Sequence, residues 1–201
     1  TSVDRVHQST PLIAEDLAWT YMVMRHIDGF AFFNSDPRSG ASLPHRHLQL
    51  MPCSRFPYQS LQTITTSINQ QKTEVSYLQG FRHVLLPLDP QRALADSGKY
   101  LLSVLHDAFR QLGWMEDHGF SFNMLMGDKW MLVVPRKSEH TSKGVSANAL
   151  TVLCSVLTSK PEVFHEYSSL PLQELFKDLL VGQEDDPREY PVSGFPDKYI
   201  L

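Results

Sequence analysis

Cysteine is scarce in this chain. Only Cys53 and Cys154 occur among 201 residues, too few for a disulfide-stapled scaffold. The two thiols read as small core hydrophobes of a protein in a reducing compartment, the cytoplasm or the nucleus. Basic residues are in deficit as well: 18 Lys and Arg against 22 Asp and Glu give a net charge of −4. That balance supplies no surplus for a nucleic acid or an anionic membrane surface, and neither is expected as a partner. No apolar run approaches the ~20 residues of a membrane span, and no basic-then-apolar leader opens the chain. There is no internal repeat and no low-complexity tract. An initiator Met is missing too, since the sequence opens Thr1-Ser2-Val3-Asp4.

What remains is ordinary globular material. Apolar residues make up 42%, charged residues 20%, with 10 Gly and 13 Pro, and the length suits one domain. Thr10-Pro11 reads as a helix start, and Leu17, Tyr21, Met24 and Ile27 mark one helical face up to Asp28-Gly29. Phe30 to Phe33 reads as a buried strand, and Asn34 to Ser42 as a loop. Leu43 to Met51 reads as a second strand with Pro44 at its edge. Residues 54–75 show no clear period, Gly80 to Leu88 is a third strand, and Leu101, Leu105, Phe109 and Leu112 give an amphipathic helix that Gly113 stops. Phe120 to Met126 and Lys129 to Val134 form a hairpin across a Gly-first turn, Gly127-Asp128. Helices over 146–158 and 171–181, an acidic run at 184–186 and a Pro-rich tail along the surface follow. Hairpins with helices outside a regular βαβ alternation predict an α+β fold, an antiparallel sheet with helices packed outside.

The chemistry concentrates in Ser39-Gly40-Ala41-Ser42-Leu43-Pro44-His45-Arg46-His47-Leu48-Gln49. On a strand, the period of two puts His45, His47, Gln49 and Met51 on one face and Arg46, Leu48 and Leu50 on the other. The Gly- and Ser-rich loop before them can bring N–H groups and hydroxyls close to phosphate oxygens. A neutral imidazole attacks phosphorus well when its other ring nitrogen is held by an acceptor. Gln49 can donate an amide hydrogen to the reacting phosphate. Spacing alone leaves three readings: a phosphorus-attacking histidine, a metal site on His45 and His47, or structural histidines.

The Ser-Gly-Ala-Ser-x-Pro-His-x-His-Leu-Gln segment, reached from Phe32-Phe33-Asn34, resembles the active-site segment of the diadenosine tetraphosphate phosphorylases. These are also called ATP adenylyltransferases, and belong to the histidine-triad-like superfamily with the galactose-1-phosphate uridylyltransferases. Phe122 to Met126, Lys129 to Arg136 and Gly144 to Leu150 are similar to that family's C-terminal segment. The resemblance implies a histidine-triad/GalT-like fold in which residues 1–78 carry the catalytic strand and phosphate loop. Residues 79–201 would be the C-terminal ATP-adenylyltransferase-like part of the same compact unit. It implies that His47 attacks the α-phosphate of the dinucleotide, His45 orients the site and Gln49 contacts the phosphate. Gly40, Ala41 and Ser42 would form the phosphate loop, with Asn34, Asn123 and Lys129 near the nucleotide. Implied substrates are diadenosine polyphosphate, ATP, ADP and phosphate, with Mg²⁺ carried on the polyphosphate rather than in a protein cage. It also implies a nucleotide pocket completed by an N-terminal segment or a second chain, this sequence being a fragment that begins just after one of the family's strands. Two positions depart from the family: Leu43 where Gln is common, and Gly127-Asp128 where Thr-Lys is expected.

The expected activity is phosphorolysis of diadenosine tetraphosphate to ATP and ADP through an adenylyl-histidine. Its alternatives are adenylyl or uridylyl transfer to a sulfate or sugar phosphate, or nucleotide binding without turnover. Other notable residues take plainer readings. His83 is a half-buried structural histidine, and His7, His26, His106, His118, His140 and His165 are surface or packing residues. Trp130 and Met131 are core, Ser146 and Asn148 cap a helix, and Arg136 is a solvated charge, as is the 184–186 run.

Overall fold

The computed structural model describes residues 6–114, 119–156, 158, 161–186 and 189–191. Expectations for the first three residues, His118 and the tail beyond Pro191 fall outside these. In chain order the elements are α1 (Ala14–His26), β1 (Gly29–Asn34), β2 (Gln49–Pro52), α2 (Tyr58–Asn69) and β3 (Val84–Pro87). There follow α3 (Pro90–Ala95), α4 (Lys99–Gln111), β4 (Phe122–Gly127), β5 (Trp130–Pro135), α5 (Ala149–Val152), α6 (Pro161–Ser168) and α7 (Leu172–Leu179). The strands make one sheet in the order β2-β1-β4-β5-β3, every pairing antiparallel. This is the α+β arrangement the sequence predicts.

Alternation along the strands sorts the core onto two faces. Ala31, Phe33, Met124, Met126, Met131 and Val133 pack with Leu17, Tyr21 and Met24 of α1 and Leu101 and Leu105 of α4. Phe30, Phe32, Leu125, Leu132 and Val134 face the other way, onto Leu61 and Ile64 of α2, Leu150 of α5 and Phe176 and Leu179 of α7. The sheet is therefore a middle layer with helices on both sides. Among the described residues no helix is long and apolar enough to cross a membrane.

Several boundaries differ from the sequence reading, each for a local reason. The first helix begins at Ala14 rather than at Thr10-Pro11, because the Asp16 carboxylate reaches back to accept from the Ile13 N–H at 3.0 Å and closes the helix start there. Residues 58–69 are helical despite their polar composition, with Leu61 and Ile64 buried. The 146–158 helix shrinks to Ala149–Val152: Asn148 caps it by accepting from the Leu150 N–H, and the left-handed Cys154 (φ 62°) follows it. The 184–186 run is not simply solvated, since the Asp185 carboxylate accepts from the Gly182 N–H at 2.8 Å.

The hairpin turn moves by one residue. Gly127 pairs with Trp130, so the two-residue turn is Asp128-Lys129, and neither takes a positive φ. Helix α1 holds this turn, with the Tyr21 hydroxyl donating to the Asp128 carbonyl at 2.7 Å and Arg25 paired to its carboxylate at 2.9 Å. Gly127 is needed for room rather than for backbone freedom. A Cβ there would lie 2.5 Å from the Trp130 indole. Gly127→Ala should therefore cost about 1–3 kcal/mol through overpacking, read as a lower urea midpoint accompanied by a change in tryptophan emission.

Candidate active site

Strand β2 is shorter than the sequence suggests. The predicted strand over 43–51 is regular only from Gln49, with His45 in an isolated bridge to His7. The alternation nevertheless survives: Leu48 and Leu50 pack on the α1/α4 face and Met51 on the other. Continuing the β1–β2 register, Phe32 opposite Gln49, would place Asn34 opposite His47. Gln8 intervenes there. Its side-chain oxygen accepts from the His47 N–H at 2.8 Å while its amide nitrogen donates to the Asn34 carbonyl. A side-chain amide thus replaces one ladder bond and holds the histidine segment off β1.

His47 is half-buried. Its Nδ1 lies 2.9 Å from the His45 carbonyl, an acceptor that fixes the proton on Nδ1 and leaves the Nε2 lone pair outward. Among the described residues Nε2 has no hydrogen-bond partner. The two imidazoles stand 5.6 Å apart, tilted by 54°. His45 therefore orients its neighbour through its backbone carbonyl. Arg46 points to the opposite face, paired with Asp16 at 3.2 Å and donating to the Pro11 carbonyl at 2.8 Å. Gln49 is exposed on the His47 face.

His83 supplies an internal contrast. Its Nδ1 also lies 2.9 Å from the carbonyl two residues back, that of Phe81, but its Nε2 accepts from the Val75 N–H at 2.9 Å. With both nitrogens held it is structural. Burial pushes its pKa below the ordinary value, outweighing the Phe81 hydrogen bond and the Glu74 charge.

Beneath the loop lies a buried polar network. The Asp36 carboxylate accepts from the Ser39 N–H at 3.0 Å and the Ser121 hydroxyl at 2.7 Å. Asn34 Oδ1 accepts from Asn123 at 2.8 Å and from the Ala149 N–H at 2.9 Å. Asn123 also donates to the Ser39 carbonyl at 2.9 Å, and its own oxygen accepts from Arg136 at 2.6 Å. It is 0% exposed, so the structure makes it a support for the loop rather than a ligand contact. Arg136, read from sequence as a solvated charge, is also 0% exposed. Its N–H groups reach the carbonyls of Leu179, Ser39, Ser138 and Ala147 as well as Asn123. Burial pushes its pKa down to about 10, against Asp36 and Glu139 which hold it up, so it stays a cation at neutral pH. Sequence reasoning misses it because an Arg after a strand-ending Pro carries no local sign of burial.

The loop itself is partly turned inward. The N–H groups of Gly40 and Ala41 donate to the Pro37 and Asp36 carbonyls, so they are not open to a phosphate. Those of Ser42 and Leu43 make no hydrogen bond among the described residues. Gly40 is required where it stands: φ is 93°, and a Cβ would lie 2.3 Å from the Ala147 carbonyl oxygen. Lys129 is not brought to this site. It occupies the hairpin turn at the far end of β4 and β5 from Asn123, roughly 15–20 Å of strand away. There it lines a separate cavity of about 380 Å³ with Phe30, Cys53, Leu61 and Trp130.

The site is thus an antiparallel sheet between helical layers, with a loop leading to an edge histidine whose Nδ1 is held by a carbonyl and whose Nε2 has no partner among the described residues. Two family models match the chain, the Ap4A phosphorylase N-terminal domain over residues 3–74 and the ATP adenylyltransferase C-terminal domain over residues 56–181. The chain belongs to the ATP adenylyltransferase family. Protein APA1 of Saccharomyces cerevisiae is 27% identical over 201 aligned residues, covering 87% of this chain and 60% of that protein. Diadenosine 5',5'''-P1,P4-tetraphosphate phosphorylase 2 of the same yeast is 26% identical over 162 residues, covering 68% and 49%. The chain thus spans about half to three-fifths of the length of these curated relatives. The crystal structure of yeast Ap4A phosphorylase Apa2 in complex with AMP shares the fold at a TM-score of 0.69 and 22% identity, over 89% of this chain and 66% of that one. The Apa2 complex with Ap4A gives 0.65 at 21% identity, over 95% and 68%.

Two outcomes follow from the site. Arg136→Lys leaves several buried acceptors without donors and should cost about 2–4 kcal/mol, measured by chemical denaturation. Protonation of His83 is harder in the folded state than in the unfolded one, whose value is near 6.5. Stability should therefore fall as the pH drops below about 6.5 and level off beneath the folded value. His83→Gln should flatten that limb of a plot of denaturation midpoint against pH.

Proposed function

We propose that this chain carries the adenylyl-transfer centre of a diadenosine tetraphosphate phosphorylase, a nucleotidyltransferase, with His47 as nucleophile. The observation that carries this reading is the His47 imidazole, its Nδ1–H held by the His45 carbonyl and its Nε2 directed away from that bond. The family and the printed names of the two yeast relatives support the substrate.

In the first half-reaction the Nε2 lone pair forms a bond to the α-phosphorus and the phosphorus–oxygen bond to the ATP leaving group breaks. The Nδ1 proton stays in place, and the His45 carbonyl stabilises the cationic imidazole that results. In the second, an oxygen of inorganic phosphate bonds to the same phosphorus, the phosphorus–nitrogen bond breaks, and ADP leaves with His47 restored. Gln49 and the Ser42 and Leu43 N–H groups would serve as donors to the phosphate oxygens in this reading. Asn34 acts from below, through the loop.

Among the described residues no group of three or more His, Cys, Asp or Glu is placed to hold a metal. A divalent cation carried on the polyphosphate would offset phosphate charge, and no step is assigned to it. Both cysteines are free, in keeping with a cytoplasmic or nuclear setting.

Incubation with diadenosine tetraphosphate and no phosphate should leave an acid-labile AMP adduct, seen by intact mass, that phosphate discharges as ADP. His47→Ala should abolish it. His45→Ala should reduce its rate by no more than about tenfold, because the backbone acceptor remains. An adduct persisting in His47→Ala would overturn the assignment. Discharge only by a sulfate or sugar phosphate would point to another acceptor, and absence of any adduct to binding without turnover.

A further inference from the structure

We infer that Gln8 is a positioning residue for His47, a role that rests on the nucleophile reading above. Gln8 is 0% exposed and holds three partners at once. Its backbone N–H donates to the Pro44 carbonyl at 2.7 Å, its side-chain oxygen accepts from the His47 N–H at 2.8 Å, and its amide nitrogen donates to the Asn34 carbonyl. The next link is made by Arg46, whose N–H donates to the Val6 carbonyl at 2.6 Å.

The register shows what this amide prevents. Ser35 is bonded toward β4, its N–H donating to the Phe122 carbonyl at 3.1 Å, so the backbone groups of Asn34 point toward β2. Without Gln8, the Asn34 carbonyl and the His47 N–H are the two groups that a longer β2 would join directly. Strand pairing would then run two residues further, and His47 would move toward β1 by the width of an amide group. The carbonyl–imidazole bond from His45 depends on the backbone conformation of residues 45 to 47, which the same closure would alter. Gln8 thus sets the distance between nucleophile and sheet without touching the imidazole. A buried glutamine that merely satisfied two backbone groups would affect stability alone. One that sets this distance affects the tautomer and the chemical step.

The test uses the full chain with Gln8→Met, which keeps the volume and removes both side-chain hydrogen bonds, and Gln8→Glu, which keeps an acceptor for His47 but has no hydrogen for Asn34 when ionised. Nitrogen-15 shifts of the His47 imidazole report the tautomer directly. The unaltered chain should show a protonated Nδ1 and a bare Nε2, and both variants a mixture. Adenylyl-His47 formation should slow by about 10–100-fold with the dinucleotide KM nearly unchanged, while the exposed neighbour variant Thr10→Ala changes neither reading. If both variants lower the melting temperature but keep the tautomer and the rate, the positioning role is overturned. If the unaltered chain forms no adduct, the nucleophile reading fails, and the imidazole spectra alone decide the role of Gln8.

Discussion

The fully buried Arg136 guanidinium is the contact on which the rest of the site is built. A guanidinium has five N–H donors in a fixed planar fork, and here they meet acceptors on the loop, on β4, at two points between β5 and α5, and at the end of α7. Such a charge is expensive to bury, and an apolar replacement of the whole cluster could be as stable. What the ion contributes is coincidence. Five points between Ser39 and Leu179 are placed relative to one planar group, and an apolar side chain of similar size would leave them free to slide. Asn123 passes that placement to Asn34, and Ser39 passes it to the loop that leads to His45.

His47 and His83 show how little separates a nucleophile from a structural histidine. Both have Nδ1 2.9 Å from a carbonyl two residues earlier, so both favour the same tautomer. The difference lies at Nε2, which the Val75 N–H claims in His83 and which has no hydrogen-bond partner among the described residues in His47. A backbone device that orients a ring is local, and it occurs at both positions. Reactivity requires, in addition, that nothing be packed against the second nitrogen.

What could be read from sequence divides along the range of the interactions. Short apolar runs located β1, β4 and β5 because neighbouring residues alone determine them, and the faces that alternation assigned to Arg46 and His47 hold even where the ladder is irregular. The helical face Leu17, Tyr21, Met24 was legible for the same reason. The hairpin turn was misplaced by one residue because Gly127 suggested backbone freedom, whereas its place is set by the Trp130 ring and by Tyr21 and Arg25 gripping Asp128, the last two over a hundred residues away in the chain. Arg136, Asn123 and Gln8 were read as solvated, as a ligand contact, or not at all. Their roles lie mainly in contacts with other segments of the fold, which no short window of sequence contains. Lys129 was drawn toward the site by resemblance, and the strand length from Asn123 to the turn keeps it away.

The β1–β2 pair also explains how a nucleophile can be both fixed and accessible. Along β1 the inward residues on the His47 face change from Phe30 and Phe32 to Asn34, so the apolar core ends one pair before the histidine. On that face side-chain packing on the imidazole would block its Nε2. The chain instead grips the segment from its back and its spine. Arg46 ties it to Asp16 and Pro11 on the far face, while Val6, Gln8 and the His45 carbonyl hold it through backbone groups. Every restraint on His47 is thereby moved off the reacting atom. That division of labour requires the alternation of a strand, since only there do adjacent residues face opposite sides, one to anchor and the next to react.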